Sequence, residues 1–109
     1  MVTARPLPKP EKDDPVRVDP KHYKVEFEND RIRVVRITYD PHEKSVMHSH
    51  PESIAVFLTD AKAKFSYPDG RTEDISAKAG EVHHFDAFTH QPESTSNKPF
   101  ELIQLELKG

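Results

Sequence analysis

The sequence contains no cysteine among its 109 residues. This absence excludes disulfide bonds, thiolate nucleophiles and cysteine-based zinc or iron–sulfur sites. No apolar run approaches the about 20 residues that a membrane-spanning helix needs, so we expect no membrane partner. The start of the chain also lacks the apolar core of a secretory signal peptide. We therefore predict a cytoplasmic protein, and export of a longer precursor stays open.

An excess of positive charge is missing as well. The 16 Lys and Arg residues are outnumbered by 19 Asp and Glu residues, which gives a formal net charge of −3. Proteins that bind nucleic acids carry a basic stripe that neutralises phosphates, and no such stripe is visible in this sequence. We expect a small-molecule ligand or substrate and no nucleic acid.

Proline is unevenly distributed along the chain. Five of the ten prolines lie within the first twenty residues, with almost no large apolar residue among them. Because proline lacks the N–H donor and clashes inside a helix, we predict that residues 1–20 form an extended arm. Residues 21–109 then make up one domain, a size close to the roughly 100 residues of many single domains.

Short segments with β-type patterns fill the rest of the chain. Residues 23–28 alternate between apolar and charged side chains, and residues 54–58 form a continuous apolar run. The Pro-Asp-Gly sequence at 68–70 is a hairpin turn signal, and residues 91–99 are predicted to be a polar loop. No long window has apolar residues at helical spacing. About eight short strands separated by turns predict an all-β sandwich or barrel.

Histidine is the residue type that most needs an explanation, because the chain contains seven of them. His48 and His50 are two residues apart, so on a strand both rings would lie on one face, roughly 7 Å apart along the chain. His90 follows forty residues later. Three histidines from two neighbouring strands can hold one metal ion and leave positions open for water or substrate. For the pair alone, ordinary surface or core histidines are the alternative.

These residues resemble the two motifs of the cupin superfamily, G-x5-H-x-H-x3,4-E-x6-G and G-x5-P-x-G-x2-H-x3-N. His48 and His50 stand before an apolar strand, and Gly80 is followed ten residues later by His90. The resemblance covers about residues 25–107 and implies an all-β, double-stranded β-helix (jelly-roll) barrel. It also implies one divalent transition metal ion, Fe, Mn, Ni, Cu or Zn, held by the three histidines.

The sequence departs from these motifs at several positions. The glutamate of the first motif is replaced by Ile54 or Ala55. Other motif residues are replaced by His42, Ala61, Asp86, Phe88 and Ser94. The implied site therefore has three histidines and no carboxylate. Three neutral imidazoles leave a divalent ion with its full +2 charge, which favours an anionic, chelating substrate.

Within the superfamily, three-His iron sites resemble those of dioxygenases that cleave diketones, aromatic acids or thiols. The resemblance thus implies a metal-dependent, dioxygenase-like enzyme that acts on a small organic acid or diketone. The alternative is a non-catalytic module that binds a metabolite or a metal, because no acid–base partner stands out in the sequence. The sequence assigns no catalytic residue.

Further residues are candidates for the surroundings of the site. An additional ligand, or a residue beside the ligands, could come from Glu52, His83, His84, Gln91 or Glu93. Pro51 is expected to bend the chain away between His50 and Glu52, and of the adjacent His83 and His84 one should face inward. The pocket wall is predicted to include Ile54, Val56, Phe85 and Phe88.

Two copies of the chain are expected to associate. A small barrel has edge strands whose unpaired N–H and C=O groups need covering, and a second subunit can cover them. We predict a homodimer in which the arm or an edge strand crosses to the partner.

Overall fold

The computed structural model describes residues 13–108 of the chain, and residues 1–12 of the predicted arm lie outside this range. Strands dominate the described residues, and a helix of one turn precedes them. The elements are α1 (Pro15–Val18), β1 (Tyr23–Glu28), β2 (Ile32–Tyr39), β3 (His48–His50), β4 (Ser53–Phe57), β5 (Ala61–Ser66), β6 (Thr72–Ala77), β7 (Val82–Phe85), β8 (Phe88–Ser94) and β9 (Phe100–Leu107).

The strands form two antiparallel sheets. The five-stranded sheet has the order β1-β2-β9-β4-β7, and the four-stranded sheet has the order β3-β8-β5-β6. Strands that are neighbours in space are often distant in sequence: β9 pairs with β2 on one side and with β4 on the other. This crossing between two facing sheets is a jelly-roll arrangement, which confirms the all-β fold class predicted from the sequence.

The core lies between the facing sides of the two sheets. Val35, Ile37 and Tyr39 of β2 are buried at alternate positions, as are Ala55 and Phe57 of β4. This alternation follows from strand geometry, in which successive side chains point to opposite faces. The apolar run 54–58 is therefore not buried on both sides.

Strand β8 replaces part of a predicted loop. Residues 91–94 belong to β8, so the loop predicted for residues 91–99 is shorter than expected. Pro92 argued against a strand, because proline cannot donate to a sheet ladder. However, β3 pairs with β8 only at residues 88–90, and beyond them this side of β8 has an isolated bridge between Lys44 and Glu93. The missing N–H of Pro92 therefore interrupts no continuous ladder.

The end of the predicted arm, residues 13–20, is not extended but contains α1. The side chain of Asp14 caps this helix by accepting a hydrogen bond from the backbone N–H of Val16 at 3.0 Å. Pro15 occupies the first helical position, where its missing N–H would be unpaired in any case. The helix packs against β1 and β3. No helix among the described residues is long and apolar enough to cross a membrane.

The outer face of the five-stranded sheet retains exposed apolar side chains. A bulge between Val25 and Phe27 shifts the register of β1 and brings Phe27 opposite Val34. Phe27 is 53% exposed and Val82, on β7 at the other edge, is 63% exposed. Ile54 and Val56 face the same side and are only partly buried.

Candidate metal centre

Three histidines meet on the inner face of the four-stranded sheet. In the β3–β8 ladder His48 stands directly opposite His90, and His50 stands opposite Phe88. His48 is fully buried, and His50 and His90 are each 4% exposed. One ring nitrogen from each histidine lies within 4.8 Å of the others. The i, i+2 spacing on one strand and the antiparallel partner strand together produce this cluster.

The backbone carbonyl of Val46 determines which ring nitrogen of His48 carries the proton. Nδ1 of His48 donates a hydrogen bond to the carbonyl oxygen of Val46 at 2.8 Å. A carbonyl can only accept, so Nδ1 carries the proton and the lone pair is on Nε2. Nε2 is buried and has no hydrogen-bond partner among the described residues. Burial, together with the neighbouring His50, lowers the pKa of His48 to about 4.

His50 is oriented by a carboxylate. Its Nδ1 lies 3.4 Å from Oε2 of Glu106, which is 3% exposed. Arg33 donates from Nε to the other carboxylate oxygen, Oε1, at 2.7 Å. Burial alone would raise the pKa of Glu106, but the hydrogen bonds from His50 and Arg33 outweigh it and lower the pKa below its ordinary value. The amide nitrogen of Gln104 lies 3.3 Å from the same Nδ1, and the ionised Glu106 competes with it as the group that accepts an Nδ1 proton. The tautomer in which Glu106 accepts that proton leaves the lone pair of His50 on Nε2, as ligation requires.

His90 has no polar partner at all among residues 13–108. Both of its ring nitrogens are buried and unpaired. Its ring makes edge contacts with Phe65 and Phe88, each with centroids 4.3 Å away. Burial and the two neighbouring histidines lower its pKa, so the ring is neutral. An unsatisfied buried polar group costs about 1–3 kcal/mol, and ligation of a metal ion would satisfy it.

The donor set of the cluster fits a divalent transition metal ion. Neutral imidazole is a common ligand of these ions, and the Nδ1 atoms of His48 and His50 lie beside the oxygen acceptors Val46 and Glu106, as is usual for metal-bound histidines.

A small cavity of about 50 Å³ adjoins the cluster between the sheets. Its wall is largely aromatic and includes Phe57, Phe65, Phe85, Phe88 and Phe100. Polar groups come from His50, His90, Gln104, Tyr23 and Tyr39. The volume corresponds to a few water molecules, so the barrel admits only a small group beside the histidines.

Two of the predicted pocket residues are placed elsewhere. Phe85 and Phe88 line the cavity, but Ile54 and Val56 do not, because they point to the outer face of β4. The inward positions of this strand are Ser53, Ala55 and Phe57. In an unbroken apolar run, hydrophobicity does not distinguish inward-facing from outward-facing positions. For this reason the sequence did not show which residues of β4 face the cavity.

Glu52 and His84 lie outside the barrel and do not reach the three-His cluster. Pro51 stands between β3 and β4, where the chain passes from one sheet to the other. Nε2 of His84 lies 2.7 Å from Oε2 of Glu52, and both side chains are about half exposed. With Asp86 they form a second group of ligand-type side chains, on the surface.

The other additional candidates also have partners away from the cluster. His83 is the inward member of its pair, yet its Nε2 bonds to Glu81 at 3.0 Å and its ring packs on Phe57. Gln91 donates to the backbone oxygen of Ser45 at 3.0 Å. Glu93 lies 3.8 Å from the ammonium of Lys64. None of these residues joins the group of ligand atoms around His90.

Several residues that support the histidines were not identified from the sequence. Gln104 and Glu106 continue the inward alternation of Phe100 and Leu102 on β9, so strand parity was the available signal. Tyr23 packs its ring against His48, with centroids 4.8 Å apart. Its hydroxyl shares a 2.6 Å hydrogen bond with Tyr39, and burial raises the pKa of both phenols.

Comparison with solved structures places this architecture among known folds. A cupin domain from Bordetella pertussis Tohama I superposes with a TM-score of 0.73 at 19% identity, over 80% of this chain and 92% of that one. The chain has the cupin fold. A double-stranded β-helix protein from Klebsiella pneumoniae gives a TM-score of 0.63 at 19% identity, with 80% and 76% of the two chains covered.

A third cupin structure, from Desulfitobacterium hafniense, has a TM-score of 0.59 and 15% identity, and covers 80% of this chain and 76% of its own. No protein-family model matches the sequence, and no curated protein is significantly similar to it. The likeness is thus one of fold, and the chemistry has to be argued from the residues of this cupin barrel.

Proposed function

We propose that this cupin barrel binds one divalent transition metal ion through His48, His50 and His90. The unpaired nitrogens of the cluster carry this proposal, because Nε2 of His48 and both nitrogens of His90 are buried without a hydrogen bond among the described residues. Leaving these nitrogens unpaired lowers the stability of the fold without any compensating interaction, whereas an ion would use the converging lone pairs.

The activity that we propose is metal-dependent oxidation of a small organic acid or diketone. A bound redox-active ion would supply Lewis acidity and access to dioxygen. The chain's own residues would exclude water through the aromatic wall of Phe65, Phe85 and Phe88, and would place the apolar part of the substrate there. Because the three ligands are neutral, the ion keeps its charge for an anionic substrate group.

A non-catalytic binding module is the second candidate. Two observations favour it: the cavity measures only about 50 Å³, and none of the residues that line it carries a carboxylate that could serve as a general base. Such a module would bind the metal or a small metabolite and would consume no dioxygen.

Metal analysis tests the site. The protein is stripped with a chelator, reconstituted with one ion at a time, desalted, and measured for bound metal. We expect about one equivalent in the unaltered protein and none in a His48→Ala, His50→Ala double variant. A His42→Ala, His84→Ala double variant is the matched control, since it removes two exposed imidazoles. Equal metal content in all three proteins would refute the site.

Oxygen uptake then separates the two candidate functions. The protein is loaded anaerobically with Fe(II) and mixed with aerated solutions of small diketones or carboxylic acids. The enzyme hypothesis predicts substrate-dependent oxygen consumption that the His48→Ala, His50→Ala variant lacks. A loaded protein that stays inactive across the panel would make the binding module the better description.

The homodimer stays a prediction. Sedimentation of the full chain measures its mass, and a monomer at micromolar concentration would contradict the expectation.

A further inference from the structure

We propose that residues 13–22, here called the N-terminal segment, position two of the three histidines for metal binding. Three aspartates of this segment reach the cluster through hydrogen bonds: Asp13, Asp14 and Asp19. This inference rests on the proposed metal site, and it adds a set of residues that no motif at the histidines contains.

The first connection runs from Asp14 to His50. The two carboxylate oxygens of Asp14 accept hydrogen bonds from Nη1 and Nη2 of Arg33 at 2.9 and 2.8 Å. Nε of the same guanidinium donates to Glu106 at 2.7 Å, and the other oxygen of Glu106 lies 3.4 Å from Nδ1 of His50. Burial alone would lower the pKa of Arg33, but the two carboxylates raise it. The paired N–H groups fix the arginine in one orientation and thereby fix Glu106.

The second connection runs from Asp19 to His48. The hydroxyl of Ser45 donates to Oδ2 of Asp19 at 2.5 Å. Because its proton is used there, the Ser45 oxygen presents lone pairs to Nδ1 of His48 at 3.3 Å, as a second acceptor beside the Val46 carbonyl. Asp19 is itself held by Nδ1 of His22 at 2.7 Å, whose other nitrogen bonds to Glu43 at 3.0 Å. The ring of His22 in turn lies flat on Tyr39, with centroids 4.2 Å apart.

The third connection holds the strand that carries both histidines. Strand β3 has only three residues and pairs with β8 along one side. On the other side, the backbone N–H of Ser49 donates to the carbonyl of Asp13 at 3.0 Å. The Ser49 hydroxyl donates to the Asp13 carboxylate at 2.7 Å. The segment therefore covers the free edge of β3 midway between His48 and His50.

All three aspartates act through another residue, so they are positioning residues and not ligands. Groups that orient a metal-bound histidine typically contribute a factor of about 10–100 to metal affinity. With the segment displaced, Glu106 would keep Arg33 but lose the second carboxylate that fixes the guanidinium, and His48 would lose Ser45 as an ordered acceptor. The site would then hold the metal more loosely and with altered geometry.

The test compares Co(II) binding and the Co(II) absorption spectrum of Asp14→Asn, Asp19→Asn and the double variant with those of the unaltered chain. We expect each single variant to bind about tenfold more weakly, with visible bands changed in position or intensity, since both report ligand geometry. Asp69→Asn is the matched control, because Asp69 also holds an arginine, with Nε of Arg71 at 2.6 Å, but lies in an exposed hairpin.

A smaller change guards against a variant that does not fold. Ser45→Ala removes one hydroxyl and acts on His48 alone, and it should alter the Co(II) bands even where circular dichroism shows an intact fold. Unchanged affinity and spectrum in all these variants would overturn the positioning role while leaving the metal site in place. Weaker binding with an unchanged spectrum would also overturn it, because that result indicates general loosening. Failure of the unaltered chain to bind Co(II) would overturn both proposals.

Discussion

Two groups of ligand-type side chains in this protein are similarly compact but differ in burial and in hydrogen bonding. His48, His50 and His90 lie inside the barrel, and Glu52, His84 and Asp86 lie on its surface. In both groups the potential ligand atoms are within 4.8 Å of one another. The inner imidazoles are buried with unpaired nitrogens, whereas His84 of the outer group already bonds to Glu52 at 2.7 Å in contact with water.

The difference teaches that proximity alone does not define a metal centre. The outer group has no comparable need, because its three side chains are exposed to solvent and His84 is paired with Glu52, and such exposed pairs contribute only about 0–1 kcal/mol. The inner group pays a desolvation penalty that no protein atom among residues 13–108 relieves at His90. Burial combined with an unmet hydrogen-bonding need is therefore the better indicator of a ligand.

The largest expected effect is stabilisation by metal at the inner group only. A free ion at about 100 times its Kd should raise the free energy of unfolding by about 2.7 kcal/mol, because it binds the folded chain and not the unfolded one. Thermal or denaturant unfolding with and without Zn(II) measures this. His48→Ala should remove the effect and His84→Ala should keep it. Loss of stabilisation in His84→Ala would mean that the outer group binds the ion.

The second largest effect is expected at Glu106, whose carboxylate lies beside Nδ1 of His50. Glu106→Gln should weaken metal binding about tenfold, since a neutral amide holds the Nδ1 proton of His50 less well. Competition with a chromogenic chelator gives the affinity. Glu101→Gln is a control on the same strand: its carboxylate also pairs with an arginine, Arg36 at 3.1 Å, but on the outer face. Similar losses in both variants would indicate a general charge effect.

A third experiment concerns the protein without metal. His90→Leu should raise the stability of the metal-free chain by about 1 kcal/mol, because it replaces two unpaired buried nitrogens with apolar atoms. Urea unfolding in the presence of a chelator measures the change. A loss of stability instead would show that the nitrogens of His90 have a partner, such as an ordered water. The same variant should bind no metal.

The smallest effect is expected at the outer group. Glu52→Gln should change the free energy of unfolding by less than about 0.5 kcal/mol, as is usual for exposed substitutions. It should leave metal content unchanged. A larger change in stability would indicate a structural role for the His84–Glu52 pair, and a lower metal content would mean that the outer group binds the ion.

Much of the fold could be predicted from the sequence because strand signals are local. Alternation in residues 23–28 and the turn at 68–70 correspond to β1 and to the connection between β5 and β6. The first turn of structure, α1, was missed because proline argues against helix in general, although it is favourable at the first helical position. Residues 91–94 of β8 were predicted to be a loop, because Pro92 and its polar neighbours are typical of loops.

The candidate site also has residues that local sequence patterns could predict and residues that they could not. The spacing of His48 and His50 predicted that they share a strand face, and the resemblance to the two motifs added His90, which strand pairing brings opposite His48. Glu106 and Asp14 could not be placed, because they reach His50 only after β9 docks beside β2 and the N-terminal segment packs on the barrel. Strand parity indicates that Glu106 faces inward, but which residues Glu106 and Asp14 contact depends on the complete tertiary structure.

The pairing of β2 with β9 has a consequence for how the chain folds. Ile32 pairs with Leu107 and Tyr39 pairs with Phe100, so this eight-pair ladder joins segments separated by more than half of the chain. Closing so long a loop costs entropy before the contacts form, and topologies rich in such pairings fold slowly, in milliseconds to seconds. Since β9 is central in its sheet, the β2–β9 and β4–β9 ladders must both wait for it. We therefore expect slow, cooperative refolding.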